Sequence, residues 1–575
     1  MFTVFIITSH NTIFKLQTIG IQVIGSEPTA SALMSEGTKH LSTQSLSAAK
    51  ACFLQVIEID KNESEAYFLL SWIAHTENEL HTSCEYLKQA NAIQPFNKKY
   101  LSNLANVYGQ IGEFHKAIEL FQGYLRMDSS QAEVYYNYAC TLTKVNQAAL
   151  AFEAFQKAIS LDPNQLPYYM AFGQFLYQVN QNRNAQKVYL SALSKGLKSE
   201  GLYQNIAKLH VDYGEFDDAK NILLEASETY PDNLTFIYRL SMLDSGVLTP
   251  TLLNELNGQR DETLSPDNQF YRYWLLAKFS DLESKATDEM EYLEKAHSTF
   301  KRINNFTYDN DVYLKSLPNL VLPPIHNIET LNNDESKALE PIFIVGTPRC
   351  GSTLLESIIC AGPELVLKGE ETGIIFHTIS SKLQNNNFTD NDQDIYLGIR
   401  DQAKILYQNA NLLKDNQRFT DKSLENIFLI DLILSLYPKA KIVYCERTPL
   451  ASVVSIMKNN MVTLPWAHDV GDILEYVDSS LAAIDKWRQV YPDSIYTIKY
   501  EDLVKEPESE SKKLMSFCGL EWNESCLNFH KKTDTMSKTA SHIQVRDKIN
   551  QKSLNSYQKY QPFFQKYAHQ YPWLN

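Results

Sequence analysis

Residues 341–358 read "PIFIVGTPRCGSTLLESI", and their reading decides the fold of the second half of the chain. The run Ile342–Val345 is apolar and β-branched, which suits a buried strand. A glycine loop follows at once, and "TLLESIICA" after it has the composition of a buried helix. Strand, glycine loop and helix form the setting in which main-chain N–H groups at a helix start face an anion, with the helix dipole adding attraction. Gly346 and Gly351 stand five apart, as in the triphosphate loop G-x-x-x-x-G-K-[ST]. Ser352, however, takes the place of the lysine that reaches the β- and γ-phosphates, and Arg349 stands inside the loop. A P-loop kinase or NTPase also needs a magnesium-binding Asp at a strand end, and none stands in the expected place. The loop residues expected to hold an anion are Thr347, Pro348, Arg349, Cys350, Gly351, Ser352 and Thr353.

A second strand, "AKIVYCERT", ends at Arg447 and leads into the helix "PLASVVSIMKN", which supplies Ser455. The carboxyl ends of buried parallel strands are where ligands of open α/β sheets collect. A guanidinium there suits a phosphate because its fork can bind two oxygens. Between the two strands, "RFTDKSLEN" puts Lys422 just before a helix, and "SIYTIKYEDLV" reads as a third strand. The expectation for 341–575 is an α/β domain on a parallel sheet.

The front half repeats every 34 residues. Small residues recur at Ser71, Ala105, Ala139, Gly173 and Ala207, and again at Ser83, Ala117, Ala151, Ala185 and Ala219. Leu87, Phe121, Phe155, Tyr189 and Leu223 follow in phase, and Pro95, Pro163 and Pro231 close three of the units. Such a unit is a helical hairpin that cannot bury its apolar face alone, so the units stack. A weaker unit with Gly37, Ala49 and Phe53 comes first, and a partial one follows at Tyr238 and Leu240. The expected organisation is an apolar extension (1–29), an all-α solenoid (30–245), capping or connecting helices (246–316), a polar, proline-bearing linker (317–340) and the α/β domain (341–575).

The formal net charge is −15, which argues against wrapping nucleic acid. The eight cysteines contain no C-x-x-C pair, so neither a zinc site nor a disulfide framework is expected. Polar residues His10, Asn11, Lys15 and Gln17 interrupt the apolar N-terminus before a membrane-spanning length, and no basic segment precedes it. No membrane span and a cytoplasmic location are expected. His377, His468, His530 and His542 have no spacing that marks them as bases and read as structural.

The repeat resembles the tetratricopeptide family from about residue 64 to 231, which implies a concave surface that binds a peptide or protein partner or another copy of the chain. In the back half, "FIVGTPRCGSTLLES", "GEET", "DKS", "ERTPLASVVSI" and "YEDLV" stand in one order over about 341–550. Together they resemble the sulfotransferases that use 3′-phosphoadenosine-5′-phosphosulfate (PAPS), and among them the tyrosylprotein sulfotransferases. The resemblance implies that the loop holds the 5′-phosphosulfate and that Arg447 and Ser455 hold the 3′-phosphate. It implies Glu370 of "GEET" as general base, Arg349 and Lys422 as cations on the transferring group, and Ser541 of "TASHIQV" beside the bridging oxygen. Tyr500 would line the nucleotide pocket, and either Arg546 or Lys548 would supply a C-terminal cation. Asn459 stands where the family has an arginine. No metal is implied, and the substrate would be a hydroxyl-bearing peptide, saccharide or small molecule. A non-catalytic scaffold with a relict enzyme domain is the other reading; the joint retention of Arg349, Glu370, Lys422 and Arg447 argues against it.

Overall fold

Five helical hairpins make up the first unit of the computed structural model: Ala30–Ser42 with Leu46–Ile59, Ser64–Thr76 with Leu80–Ile93, Lys98–Gln110 with Phe114–Met127, Ala132–Lys144 with Ala148–Leu161, and Leu166–Gln178 with Asn182–Ser194. The structure describes residues 28–316, 340–385, 392–413, 418–531 and 548–575. They fall into two compact units divided between Leu202 and Tyr203. The repeat's small positions are where the two helices of a hairpin cross. A Cβ on Gly37 would lie 2.6 Å from the Phe53 ring, and one on Gly173 would collide with Tyr189. Ser83 ties its hairpin by donating its hydroxyl to Ser71 O at 2.9 Å. Each hairpin turn needs one residue in the left-handed region, and the same register supplies it at Gln44, Asn78, Gly112, Asn146, Asn180 and, in the second unit, Gly214. The weak first repeat thus has the full hairpin geometry.

In the second unit the repeat continues through Phe216–Thr229 and Leu234–Leu243. The helices Pro250–Gly258, Pro266–Leu282, Ala286–Ile303 and Asn310–Ser316 follow. Phe270, Trp274, Met290 and Leu293 of the long hairpin share one apolar core with Phe343, Tyr437 and Leu450 of the α/β region. Residues 317–339, most of the expected linker, lie outside the described residues, as do 1–27.

The sheet has five parallel strands in the order β2-β3-β1-β4-β5: β1 Ile342–Val345, β2 Val366–Leu367, β3 Arg418–Asp421, β4 Lys441–Glu446 and β5 Ile495–Lys499. Side chains alternate across it with a period of two. Ile342, Ile344, Val443 and Cys445 enter one core with Leu355, Ile358, Leu503 and Leu514. Phe343, Val345, Ile442 and Tyr444 enter the other with Ile427, Tyr437 and Val453. Both faces are covered, which is why β1 and the middle of β4 read as continuous apolar runs. β1 lies between β3 and β4, so the chain leaves it first to one side and later to the other. That reversal opens a crevice at the carboxyl ends of the central strands.

Candidate active site

Every strand's carboxyl end feeds this crevice. β1 leads to the loop 346–351 and the helix Ser352–Ala361. Gly351 is the helix N-cap at φ +108, and a Cβ there would collide with the Tyr500 ring; a Cβ on Gly346 would meet Cys445 O at 2.8 Å. The two glycines therefore let the backbone pass between β4 and the helix Tyr500–Lys505 that begins just after β5. Arg349 takes φ +69. Its Nε donates to Ser455 Oγ at 3.1 Å, and its carbonyl accepts from Arg447 Nη1 at 2.5 Å. Burial, with the Arg447 charge alongside, pushes its pKa down to about 10, so the guanidinium stays charged at neutral pH. Arg447 also lies 4.8 Å over the Tyr500 ring. Thr448, at the start of the helix Pro449–Met457, donates both its N–H and its hydroxyl to Glu501 Oε1 at 2.9 Å.

Around them lies a cleft of about 1170 Å³, room for a nucleotide and a second substrate. Its lining includes Pro348, Arg349, Gly351, Ser352, Thr353, Arg447, Ser455, Tyr500 and Lys548, so the expected anion-binding residues gather at one place. Thr347 and Cys350 are buried behind the loop; Thr347 donates its hydroxyl to Ser452 Oγ at 3.3 Å, and Cys350 O accepts from Cys445 Sγ at 3.2 Å. Ser541 and Arg546 lie outside the described residues.

The carboxylates at the end of β2 divide in a way the spacing did not reveal. Glu370, at φ +56, turns its side chain to Lys368, Oε1 to Nζ 2.9 Å, and is not among the residues lining the cleft. Glu371 does line it, and its Oε1 lies 2.7 Å from the Nζ of Lys422. The Lys422 side chain is 0% exposed, while Glu371 is 58% exposed, so the pair is a buried cation capped by a reachable carboxylate. Beneath them Glu356, also 0% exposed, accepts from Thr420 Oγ1 at 2.8 Å and from the Glu370 N–H at 2.9 Å. Burial raises its carboxyl above the usual range, opposed by the charges of Lys422 and Lys368. Sequence reasoning missed Glu356, Lys368 and Glu371. The signals were a lone carboxylate in an otherwise apolar helix and a doubled glutamate in "GEET".

Comparison with known proteins agrees with this architecture. Residues 341–524 match the sulfotransferase family, and 64–97, 99–131 and 132–165 match the tetratricopeptide repeat. The chain thus carries tetratricopeptide repeats in its first half and a sulfotransferase-family domain in its second. An uncharacterized protein of Aquifex aeolicus is 26% identical over 382 residues, 63% of this chain and 49% of that one. Protein-tyrosine sulfotransferase A of Caenorhabditis elegans is 25% identical over 36% of this chain and 57% of its own length. Protein-tyrosine sulfotransferase 1 of Danio rerio is 27% identical over 37% and 60%. The chain therefore spans about half to three-fifths of these relatives. Among solved structures, that of MamA protein aligns with 29% of this chain and 91% of its own at 21% identity and a TM-score of 0.28, too low to bear on the arrangement. No described helix is long and apolar enough to cross a membrane.

Proposed function

We propose that the second unit transfers a sulfuryl group from PAPS to a hydroxyl acceptor, and that Glu371 takes the general-base role that the family resemblance implies for Glu370. The observation that carries this is that Glu371 lines the same cleft as the loop, Arg349 and Arg447, while pairing with Lys422 buried just behind the lining. The loop amides and the helix start at Ser352 fit a 5′-phosphosulfate, and Arg447 with Ser455 fits the 3′-phosphate. Asn459 donates its side-chain N–H to Ser455 O at 2.7 Å, and among the described residues Arg349 and Arg447 are the guanidiniums of this part of the cleft.

In the reaction, the acceptor oxygen bonds to sulfur as the bond from sulfur to the bridging phosphate oxygen breaks. Glu371 receives the hydroxyl proton. Lys422 and Arg349 offset the charge that gathers on the sulfuryl oxygens and on the leaving oxygen of adenosine 3′,5′-bisphosphate. Ser541 and either Arg546 or Lys548 complete the donor site in this reading. The tetratricopeptide repeats bind the acceptor or a protein partner.

Protein tyrosine is the acceptor suggested by the names of the C. elegans and D. rerio relatives. Intact-mass screening of peptide, saccharide and phenol acceptors for an added sulfuryl group tests it. With a working acceptor, Glu371→Gln is expected to keep bisphosphate affinity within about threefold and to lower turnover about 100-fold or more. Undiminished turnover would remove Glu371 from the mechanism, and the same result in Glu370→Gln is expected because that side chain faces Lys368.

A further inference from the structure

One buried side chain on the phosphate-loop helix hydrogen-bonds to the segment carrying Glu371. Glu356 projects from the helix whose first residues, Ser352 and Thr353, line the cleft. Its Oε1 accepts two hydrogen bonds, one from Thr420 Oγ1 at the end of β3 and one from the Glu370 main chain. Thr420 Oγ1 in turn accepts from the Gly369 N–H at 3.1 Å, and the Lys422 N–H donates to Glu370 O at 2.8 Å. Gly369 permits this closeness, since a Cβ there would collide with Thr420 O. Glu370 is thus gripped at its N–H by Glu356 and at its carbonyl by the residue after β3, in the left-handed conformation a non-glycine residue rarely takes. That backbone turn sends side chain 370 to Lys368 and side chain 371 to Lys422. Glu356 Oε2 is buried with no hydrogen-bond partner among the described residues, so the side chain is placed for more than its own solvation.

We propose that Glu356 is the positioning residue that sets the Glu371 carboxylate over Lys422, by holding the main chain of residue 370. The inference rests on the reading of Glu371 as the base. Replacing Glu356 by glutamine keeps an oxygen that can accept from Thr420 and Glu370 but removes the charge. Replacing it by alanine removes both.

The test uses the full chain and PAPS, with water as acceptor or the best acceptor from the mass screen, and adenosine 3′,5′-bisphosphate as the binding probe. Glu356→Gln is expected to keep kcat within about fivefold, because its amide oxygen can still accept from Thr420 and from the Glu370 N–H and so keep the reacting group in place. Glu356→Ala, if folded by circular dichroism, is expected to lose about 10- to 100-fold in kcat with bisphosphate affinity within about threefold, as a misplaced reacting group does. A Glu356→Gln kcat as low as that of the alanine variant would overturn the proposal, since restoring the accepting oxygen would then not restore the geometry. So would an alanine variant whose kcat and bisphosphate affinity fall together, the mark of a generally loosened loop. Wild-type kcat in both variants beside an inactive Glu371→Gln would sink this inference alone; an active Glu371→Gln would sink the base assignment beneath it.

Discussion

Gly351 meets two demands at once: a backbone at φ +108 and a Tyr500 ring where a Cβ would go. Gly351→Ala is expected to cost about 1–3 kcal/mol of local strain. The expected readout is bisphosphate affinity weakened about tenfold or more by calorimetry, with thermal stability lowered only modestly, and unchanged affinity would mean the loop does not hold the ligand. The sequence made this glycine legible because only a small, permissive residue fits such a turn. The neighbouring glutamates were not legible in the same way. Spacing cannot decide between Glu370 and Glu371, since the choice depends on a left-handed residue held by a helix and a strand far away in the chain. Lys422 was found from its place before a helix, but its complete burial follows from packing the sequence does not display.

At the scale of elements, legibility followed periodicity. β1 and β4 were visible because both faces of the sheet are covered, and their side chains alternate between two cores. β2 is two residues long, and β3 reads "RFTD", too short and too polar for any pattern to form, yet both are sheet members. The 34-residue period reached down to Gly37, and the turn residues Asn78, Asn146 and Asn180 repeat it in a second way that small-residue matching had passed over. The hairpin 266–303 meets the α/β region at a buried histidine pair. His297 Nε2 lies 2.8 Å from Met457 O, and His468 Nε2 lies 3.0 Å from Met461 O. Burial pushes both pKa values down to about 4, against an ordinary value near 6.5. Folded pKa values below the unfolded ones mean the stability is fully present above about 6.5 and is lost as pH falls towards 4. Thermal midpoints at pH 7 and pH 5 are therefore expected to drop more for the wild type than for His297→Gln. Equal drops would show that the pair does not couple to folding.

Across the whole molecule, a chain of net charge −15 concentrates guanidiniums at one crevice, Arg349 and Arg447, where the helix start at Ser352 adds its own positive field. Local cation placement, not overall charge, is what would draw an anionic nucleotide into this cleft. Five strand ends converge there, and the long hairpin that follows the repeats contributes Trp274, Lys278 and Glu289 to the same lining. The second unit alone thus furnishes every lining residue. The most direct measurement is a calorimetric titration of the intact chain with adenosine 3′,5′-bisphosphate and, separately, with ATP and magnesium. One-site binding of the bisphosphate, weakened about 10- to 100-fold by Arg447→Ala, with ATP and magnesium far weaker, is the predicted result. Tight binding of magnesium–ATP with no heat from the bisphosphate would contradict the account.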